Sequence, residues 1–143
     1  MFQRLVLQAA FLGALLAPAL ALASACPDHY ADGRAPEIRN PKLAVATREL
    51  CYGVFGIMHS GVTRTPLWSA EHLRADNVAS AQGMKRDNAF HAESRLPPGQ
   101  RAELNDYARS GYDRGHMAPN GDMPDAVSQR ESFSLANMVP QDG

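Results

Sequence analysis

The sequence predicts an α+β fold, in which a small antiparallel sheet is combined with short helices and long loops. Three apolar segments, at 50–60, 66–73 and 133–141, have the composition or the alternation of β-strands. Polar stretches that are broken by Gly and Pro separate them, and no internal repeat follows residue 25. A chain of 143 residues most often forms one domain, so these segments are expected to share one core.

The first 25 residues have the pattern of a secretory signal peptide. Arg4 is their only charge, an apolar run extends over 5–22, and Ala23 and Ala25 are small residues suited to cleavage after Ala25. A retained membrane anchor is the alternative, but the run barely reaches spanning length and Pro18 interrupts it. We therefore expect a periplasmic or secreted protein without membrane association after cleavage.

The expected mature domain comprises residues 26–143. One of the 14 basic residues lies in the signal segment and none of the 15 acidic residues does, so the domain carries a net charge of −2. Because no overall basic field exists, any site for a polyanion must be a local cluster of arginines. Two cysteines remain, and an even number in an oxidising compartment favours a Cys26–Cys51 disulfide over two free buried thiols.

Two strands are predicted in the first half of the domain. Residues 50–60, "LCYGVFGIMHS", are rich in aromatic and aliphatic side chains and predict the first strand. Residues 66–73 alternate in polarity after a turn and predict a second strand, antiparallel to the first. The polar segment 74–100 contains Gly83 and two prolines, and it predicts a long connection with little regular structure.

The second half is expected to contain two short helices and one strand. Residues following Pro98 predict a helix over 100–107. Asp122 as an N-cap and Pro124 in the first turn predict a helix over 124–132. Residues 133–141 then alternate in polarity and predict a strand that Pro140 ends.

The segment "SGYDRGHMAPNGDM" at 110–123 combines side chains that suit the hydrolysis of a phosphodiester. His116 can exchange a proton near neutral pH, and Asp113 can orient a base or a metal-bound water. Arg114 offers a planar fork for phosphate, and Gly115 allows the backbone to come close to a ligand or to adopt a positive φ. The alternative is a surface ion pair of Asp113 and Arg114 beside a structural imidazole.

The wider context resembles the DNA/RNA non-specific endonucleases, the ββα-metal (His-Me finger) nucleases. The resemblance is carried by "DYARSGYDRGHMAPNGDM", by "ESFSLANMVPQ" and by "HSGVTRTPLWSAEHL", and it extends from about Tyr52 to Gln141. It implies the fold of that family and a Mg²⁺- or Mn²⁺-dependent endonuclease. Such an enzyme hydrolyses the phosphodiester bonds of DNA and RNA without sequence specificity.

The resemblance also implies roles for five residues. His116 matches the general base that activates water, and Asp113 matches the acid that helps fix the hydrated metal. Arg114 matches the signature arginine, either structural or facing the phosphate. Asn137 matches an asparagine that supports hydrogen bonds of the active site. Arg86, in "KRDNAFHAE", is the best match to a loop arginine that stabilises charge on the phosphate.

The chain departs from the family pattern at its C-terminus. The asparagine that binds the metal in the family lies about nine residues after the position of Asn137, which would be beyond Gly143. We therefore expect the metal-bearing helix to be missing, and the chain to be a fragment with impaired activity. The alternative is a non-catalytic remnant that binds nucleic acids.

Overall fold

A computed structural model describes residues 24–143 of the chain. The predicted signal peptide lies outside the described residues, apart from Ser24 and Ala25. Among residues 24–143, no helix combines the length and the apolar character that a membrane span requires. After two short 3-10 turns, the described chain forms five strands and three short helices, which confirms the α+β prediction.

A three-stranded antiparallel sheet forms the first half of the domain. Its strands are β1 (Thr47–Cys51), β2 (Phe55–Ser60) and β3 (Thr65–Glu71), in that order across the sheet. The prediction of one strand over 50–60 was wrong, because the chain turns back between Tyr52 and Phe55, where the Tyr52 amide donates to the Phe55 carbonyl at 2.9 Å. The predicted antiparallel pairing with the next strand is confirmed.

The long connection contains more regular structure than predicted. Helix α1 occupies Ala75–Ala81, a stretch with three alanines, the strongest helix formers, and with neither Gly nor Pro. The predicted helix over 100–107 is reduced to α2 (Leu104–Tyr107), after a separate 3-10 turn at Pro98–Gln100. Helix α2 begins at Leu104 because a capping box precedes it. The Glu103 side chain accepts the Asp106 backbone N–H, and the Asp106 side chain accepts the Glu103 backbone N–H.

The motif segment and the C-terminal segment form a second, two-stranded antiparallel sheet. Strand β4 (Asp113–His116) pairs with β5 (Met138–Gln141), so that Gly115 lies opposite Val139. The predicted strand over 133–141 was therefore too long, because residues Leu135–Asn137 form a 3-10 turn instead.

Helix α3 (Ala126–Ser132) precedes β5 and begins two residues later than predicted. Its N-cap is Asp125, whose side chain accepts the Ser128 amide at 2.8 Å, whereas Asp122 belongs to a 3-10 turn at Asn120–Asp122. With Asp125 as the N-cap, Pro124 lies outside the helix.

The core lies between the three-stranded sheet and the segment around α3. It is a cluster of apolar side chains with little or no exposed surface, formed by Leu50, Tyr52, Phe55, Ile57, Leu96, Ala118, Met123 and Ala136. The predicted disulfide is present: Cys26 and Cys51 are joined, with Cα atoms 5.7 Å apart. It ties the start of the described chain to the end of β1.

Candidate active site

An open cleft of about 770 Å³ lies along β4 and the end of β5. The structure brings four of the five predicted site residues to this cleft, namely Arg86, Asp113, Arg114 and His116. The other lining residues are Asn88, Phe90, Leu104, Gly115, Gln141, Asp142 and Gly143. Arg86 comes from the long connection, whereas the other three are consecutive or nearly so on one strand.

His116 is the last residue of β4 and is half-buried among aromatic rings. Its ring centroid lies 5.0 Å from that of Phe133 and 5.9 Å from that of Phe90. Its Nε2 is enclosed and has no hydrogen-bond partner within the described chain. Burial, assisted by the positive charge of Arg86, lowers the pKa of His116 to about 4. The imidazole is therefore neutral at pH 7.

Two arginines approach the histidine from different parts of the chain. The Arg86 guanidinium carbon lies 5.2 Å from the centre of the Phe133 ring, and its Nε donates to Asn88 Oδ1 at 2.7 Å. The Arg114 guanidinium carbon lies 4.1 Å from the centre of the Phe90 ring. Both contacts are cation–π interactions, which hold a charged head group over an apolar surface while leaving its edge accessible.

Phe90 reaches the cleft because the long connection is tied to the segment after α3. The His91 amide donates to the Phe133 carbonyl at 3.2 Å, and the Leu135 amide donates to the His91 carbonyl at 2.8 Å. The Phe90 and Phe133 rings then meet edge to face, 4.8 Å between centroids. The two backbone hydrogen bonds form an isolated β-bridge between His91 and Ser134, and this bridge brings Arg86 close to β4.

Asp113 and Gly115 occupy the other side of β4. Asp113 is exposed at the cleft. Gly115 is buried, and its backbone passes so close to Gln141 that an added Cβ would collide with the Gln141 side chain. The sequence suggested a positive φ or close approach of the backbone to a ligand. The structure gives a different reason, because φ is not positive at Gly115 and the close neighbour is the side chain of the paired strand.

Asn137 does not line the cleft. It is fully buried beneath β4, and its side-chain amide hydrogen-bonds to the backbone of Ala118 and of Ser132, each at 2.9 Å. The Met117 amide donates to the Asn137 carbonyl at 2.9 Å. The geometry makes Asn137 a residue that positions the chain directly after His116, without contact to the cleft.

Three site residues were missed by the sequence reasoning. Phe90 and Phe133 form the walls around His116, and Gln141 lies beside Gly115. The two phenylalanines looked like ordinary packing residues, since only the tertiary bridge at His91 brings them together. A signal for Gln141 existed in sequence, because a glycine in a strand often marks a place where a neighbour comes close.

The cleft offers oxygen atoms to a cation, but the described residues do not complete a metal site. Asp113, Asp142, Asn88 and Gln141 place carboxylate or amide oxygens along its walls. Over residues 24–143, however, the only three His, Cys, Asp or Glu side chains close enough to share an ion are Cys26, Glu49 and Cys51. The two sulfurs of that group are joined to each other.

Comparisons with known proteins agree with this geometry. The sequence profile described as DNA/RNA non-specific endonuclease matches residues 35–143. Nuclease C1 of Cunninghamella echinulata var. echinulata is 42% identical over 82 residues, which are 56% of this chain and 32% of that protein. The mitochondrial endonuclease G of Caenorhabditis elegans is 31% identical over 123 residues, which are 85% of this chain and 40% of that protein.

A solved structure shares the fold. The EndoG chain of an EndoG/EndoGI complex superposes with a TM-score of 0.59 at 32% sequence identity, and the match covers 66% of this chain and 40% of that one. This chain thus spans between about a third and two-fifths of the length of these relatives. Nucleases with this fold depend on a divalent metal. The family match over most of the sequence confirms the resemblance: the chain belongs to the DNA/RNA non-specific endonuclease family and has the ββα-metal nuclease fold.

Proposed function

We propose that the protein is an exported endonuclease that hydrolyses phosphodiester bonds of DNA and RNA without sequence specificity. We propose His116 as its general base and Mg²⁺, with Mn²⁺ as a substitute, as the metal on which it depends. The observation that carries the proposal is the neutral imidazole of His116, enclosed by two aromatic rings in a polar cleft between Arg86 and Arg114.

The state of His116 suits proton removal from water. A general base must be unprotonated when the nucleophile attacks, and burial keeps this imidazole neutral at pH 7. Nε2 is enclosed and has no protein partner among residues 24–143, so a water molecule has to approach the imidazole at its other ring nitrogen, Nδ1. The water proton passes to the imidazole while the water oxygen bonds to phosphorus. The ester bond between phosphorus and the leaving sugar oxygen breaks, and that oxygen takes up a proton from solvent.

Arg86 and Arg114 supply the positive charge that a phosphodiester requires. Phosphate oxygens accept hydrogen bonds from the fork of a guanidinium, and the charge on those oxygens grows as the attacking oxygen bonds to phosphorus. Both head groups are anchored on rings, which fixes their position before substrate binds. Contacts of this kind address the backbone and carry no base information, so cleavage is expected at all sequences.

A divalent ion would supply Lewis-acid assistance to the same phosphate. Asp113, Asp142, Asn88 and Gln141 are the described residues with carboxylate or amide oxygens at the cleft, and they do not make a full coordination shell. The chemistry that residues 24–143 supply themselves is the proton transfer at His116 and the phosphate binding of the two arginines.

Export is part of the proposal because of two features. Residues 1–25 have the pattern of a cleavable signal peptide, and the Cys26–Cys51 disulfide is typical of oxidising compartments. Cys26 would be the first residue of the mature domain, comprising residues 26–143. N-terminal sequencing of the exported protein tests this, since a first residue other than Cys26 contradicts cleavage after Ala25.

A plasmid-nicking assay tests the activity. Supercoiled DNA and a structured RNA are incubated with the protein in Mg²⁺, in Mn²⁺ and in EDTA. We expect both substrates to be cut only with metal and at a low rate, because residues 24–143 do not complete a metal site, and His116→Ala to lower that rate by at least about 100-fold. Val127→Ala, an exposed change on α3 away from the cleft, serves as the matched control. Cutting by His116→Ala at the parental rate would refute the role of the base.

A second function, nucleic-acid binding without turnover, is favoured by the incomplete set of metal ligands within residues 24–143. Arg86 and Arg114 would still bind phosphate in that case. It predicts salt-dependent binding of DNA and RNA with no cleavage in Mg²⁺ or Mn²⁺. The same assay, combined with a gel-shift measurement at two salt concentrations, separates the two functions.

A further inference from the structure

The cleft continues past Arg114 onto a surface made of two tyrosines. A second cavity, of about 300 Å³, is lined by Leu104, Tyr107, Ala108, Tyr112, Asp113 and Arg114. Three of these residues, Leu104, Asp113 and Arg114, also line the candidate active site. The two cavities therefore share a wall, and a chain that lies across Arg114 enters both. The volume is at the lower end of the range for small-molecule sites, about 300–1,000 Å³.

Two large side chains with apolar groups are exposed on this surface. Tyr112 is 53% exposed and Leu104 is 46% exposed, although both are large side chains that usually pack away from water. Tyr107 is half-buried beside them, and burial raises the pKa of its hydroxyl, which therefore stays neutral. We define the tyrosine surface as Leu104, Tyr107 and Tyr112.

The backbone holds Tyr112 in place. Ser110 Oγ donates to the Tyr107 carbonyl at 3.0 Å and accepts the Tyr112 amide at 3.1 Å, so it closes the loop between the two tyrosines. Gly111 adopts a φ of +85°, which favours glycine, and this turns the chain so that Tyr112 leads directly into β4. Tyr112 is thus an exposed aromatic residue on a fixed loop, one position before the catalytic strand.

The positive charge of Arg114, next to the tyrosine surface, suits the phosphate of a nucleotide. Arg114 lies at the boundary of both cavities, and its guanidinium sits over Phe90 with its edge accessible to phosphate. An aromatic side chain next to a phosphate-binding arginine is the arrangement by which proteins bind unpaired nucleotides, since every base can stack on a ring. Paired bases are stacked inside a duplex and cannot lie on such a surface.

We propose that the tyrosine surface binds an unpaired nucleobase of the substrate strand, adjacent to the phosphate held at Arg114 and His116. This inference rests on the proposed function for the identity of that phosphate. The base stacks on Tyr112, with Leu104 and Tyr107 as the apolar floor. The site gives the protein a preference for single-stranded or locally opened nucleic acid, while leaving base identity free.

Binding measurements in a non-cutting background test the proposal apart from the activity. In a His116→Ala parent, fluorescence anisotropy compares a labelled oligothymidylate with a labelled duplex of the same length. We expect Tyr112→Ala to weaken binding of the single strand by about 5- to 100-fold, and duplex binding by less than about 2-fold. Tyr112→Phe keeps the ring and should bind as the parent does. Tyr112→Leu keeps apolar area without the ring and should resemble Tyr112→Ala.

Two controls sharpen the outcome. Val127→Ala removes exposed apolar surface elsewhere and should leave binding of both ligands unchanged. An oligonucleotide of abasic sites should bind weakly to the parent and be insensitive to Tyr112→Ala. Unchanged single-strand affinity in Tyr112→Ala and Tyr112→Leu, or an equal loss for duplex, would overturn the proposal and assign the surface to another occupant. Plasmid nicking by the protein with His116 intact is scored separately, so failure of catalysis leaves this result interpretable.

Discussion

The side-chain amide of Asn137 forms two hydrogen bonds with the backbone of Ala118, one as acceptor and one as donor. Its Oδ1 accepts the Ala118 amide and its Nδ2 donates to the Ala118 carbonyl, each at 2.9 Å. Both residues are fully buried, and they are 19 positions apart in the chain. The pair locks the segment that leaves His116 onto the segment that enters β5, so the position of the histidine depends on an amide that never reaches the cleft.

Asn137→Ala is expected to destabilise the fold and to impair activity through that loss of position. The change leaves the buried N–H and C=O groups of Ala118 without hydrogen-bond partners. We therefore expect the unfolding free energy to fall by roughly 2–4 kcal/mol. Urea denaturation measures it. Asn88→Ala, in which an exposed amide of the cleft is removed, should change the unfolding free energy by less than about 0.5 kcal/mol. Equal stability of the two variants would contradict the role given to Asn137.

The elements that sequence predicted best were those whose signal is local. The alternation of residues 66–73 corresponds to β3, and the Asp and Pro residues that predicted a helix over 124–132 precede α3. The turn between β1 and β2 was missed because the apolar run continues through Tyr52 and Phe55, so no change of polarity marks it. Helix α1 was missed because its short sequence of small and polar residues shows no amphipathic period.

The sequence predicted which polar residues form the site, but not the aromatic residues that surround His116. The proximity of Asp113, Arg114 and His116 follows from their spacing on one strand. The walls around His116 depend on the bridge between His91 and Ser134, which joins segments 43 positions apart by backbone hydrogen bonds. Backbone pairing of this kind leaves little trace in side-chain composition, so Phe90 and Phe133 could not be recognised from their neighbours.

The low pKa of His116 should be visible by NMR. The imidazole Cε1–H resonance is expected to titrate near pH 4, because burial and Arg86 both disfavour the protonated form. Arg86→Ala removes one of these causes, so the pKa should rise, although burial keeps it below 6.5. The acid limb of kcat/KM should move to higher pH in the same direction. Arg34→Ala, at a highly exposed position, serves as the control, and a pKa that falls in Arg86→Ala would contradict the assignment.

Glu93 should give the fold a distinct dependence on pH. Burial alone would raise the pKa of Glu93, but hydrogen bonds from Arg95 and Tyr52 outweigh it and lower the pKa to about 2. The stabilisation by this carboxylate is therefore complete above about pH 4.5 and is lost as the pH falls toward 2. Glu93→Gln should cost about 2 kcal/mol of unfolding free energy at pH 7, since it leaves a partly buried guanidinium without its counter-charge.

Denaturation midpoints at several pH values provide the measurement. The difference between the parent and Glu93→Gln should shrink steadily below pH 4.5. Glu37→Gln breaks an ion pair with Arg39 at the surface and should change the unfolding free energy by less than about 0.5 kcal/mol. A difference that is constant down to pH 2 would mean that the charge of Glu93 does not contribute.

Removal of the disulfide should lower stability without altering the cleft. The bond closes a loop with a sequence separation of 25 residues, for which a loss of about 3 kcal/mol in unfolding free energy is expected. Cys26→Ser/Cys51→Ser and the reduced parent should therefore unfold at the same lower urea concentration, and a reducing agent should have no effect on the double variant. Neither cysteine lines the cleft, so activity per folded molecule should be retained. A specific activity that falls tenfold in a fully folded variant would contradict this separation.

The last prediction concerns the contact of β4 with β5. A Cβ at position 115 would meet the Gln141 side chain, including its Cβ at 3.0 Å, so Gly115→Ala should cost about 1–3 kcal/mol in unfolding free energy. Adding Gln141→Ala removes only the outer part of that side chain, and partial recovery is expected. Adding Gln141→Gly removes the colliding Cβ as well, so most of the loss should be recovered, as a coupling energy between two contacting positions. Gly99→Ala, where an added Cβ meets nothing within 4 Å, should be close to neutral. If neither change at 141 rescues Gly115→Ala, the glycine is required by something other than the paired strand, and the close approach of a ligand to the β4 backbone would be the remaining reason.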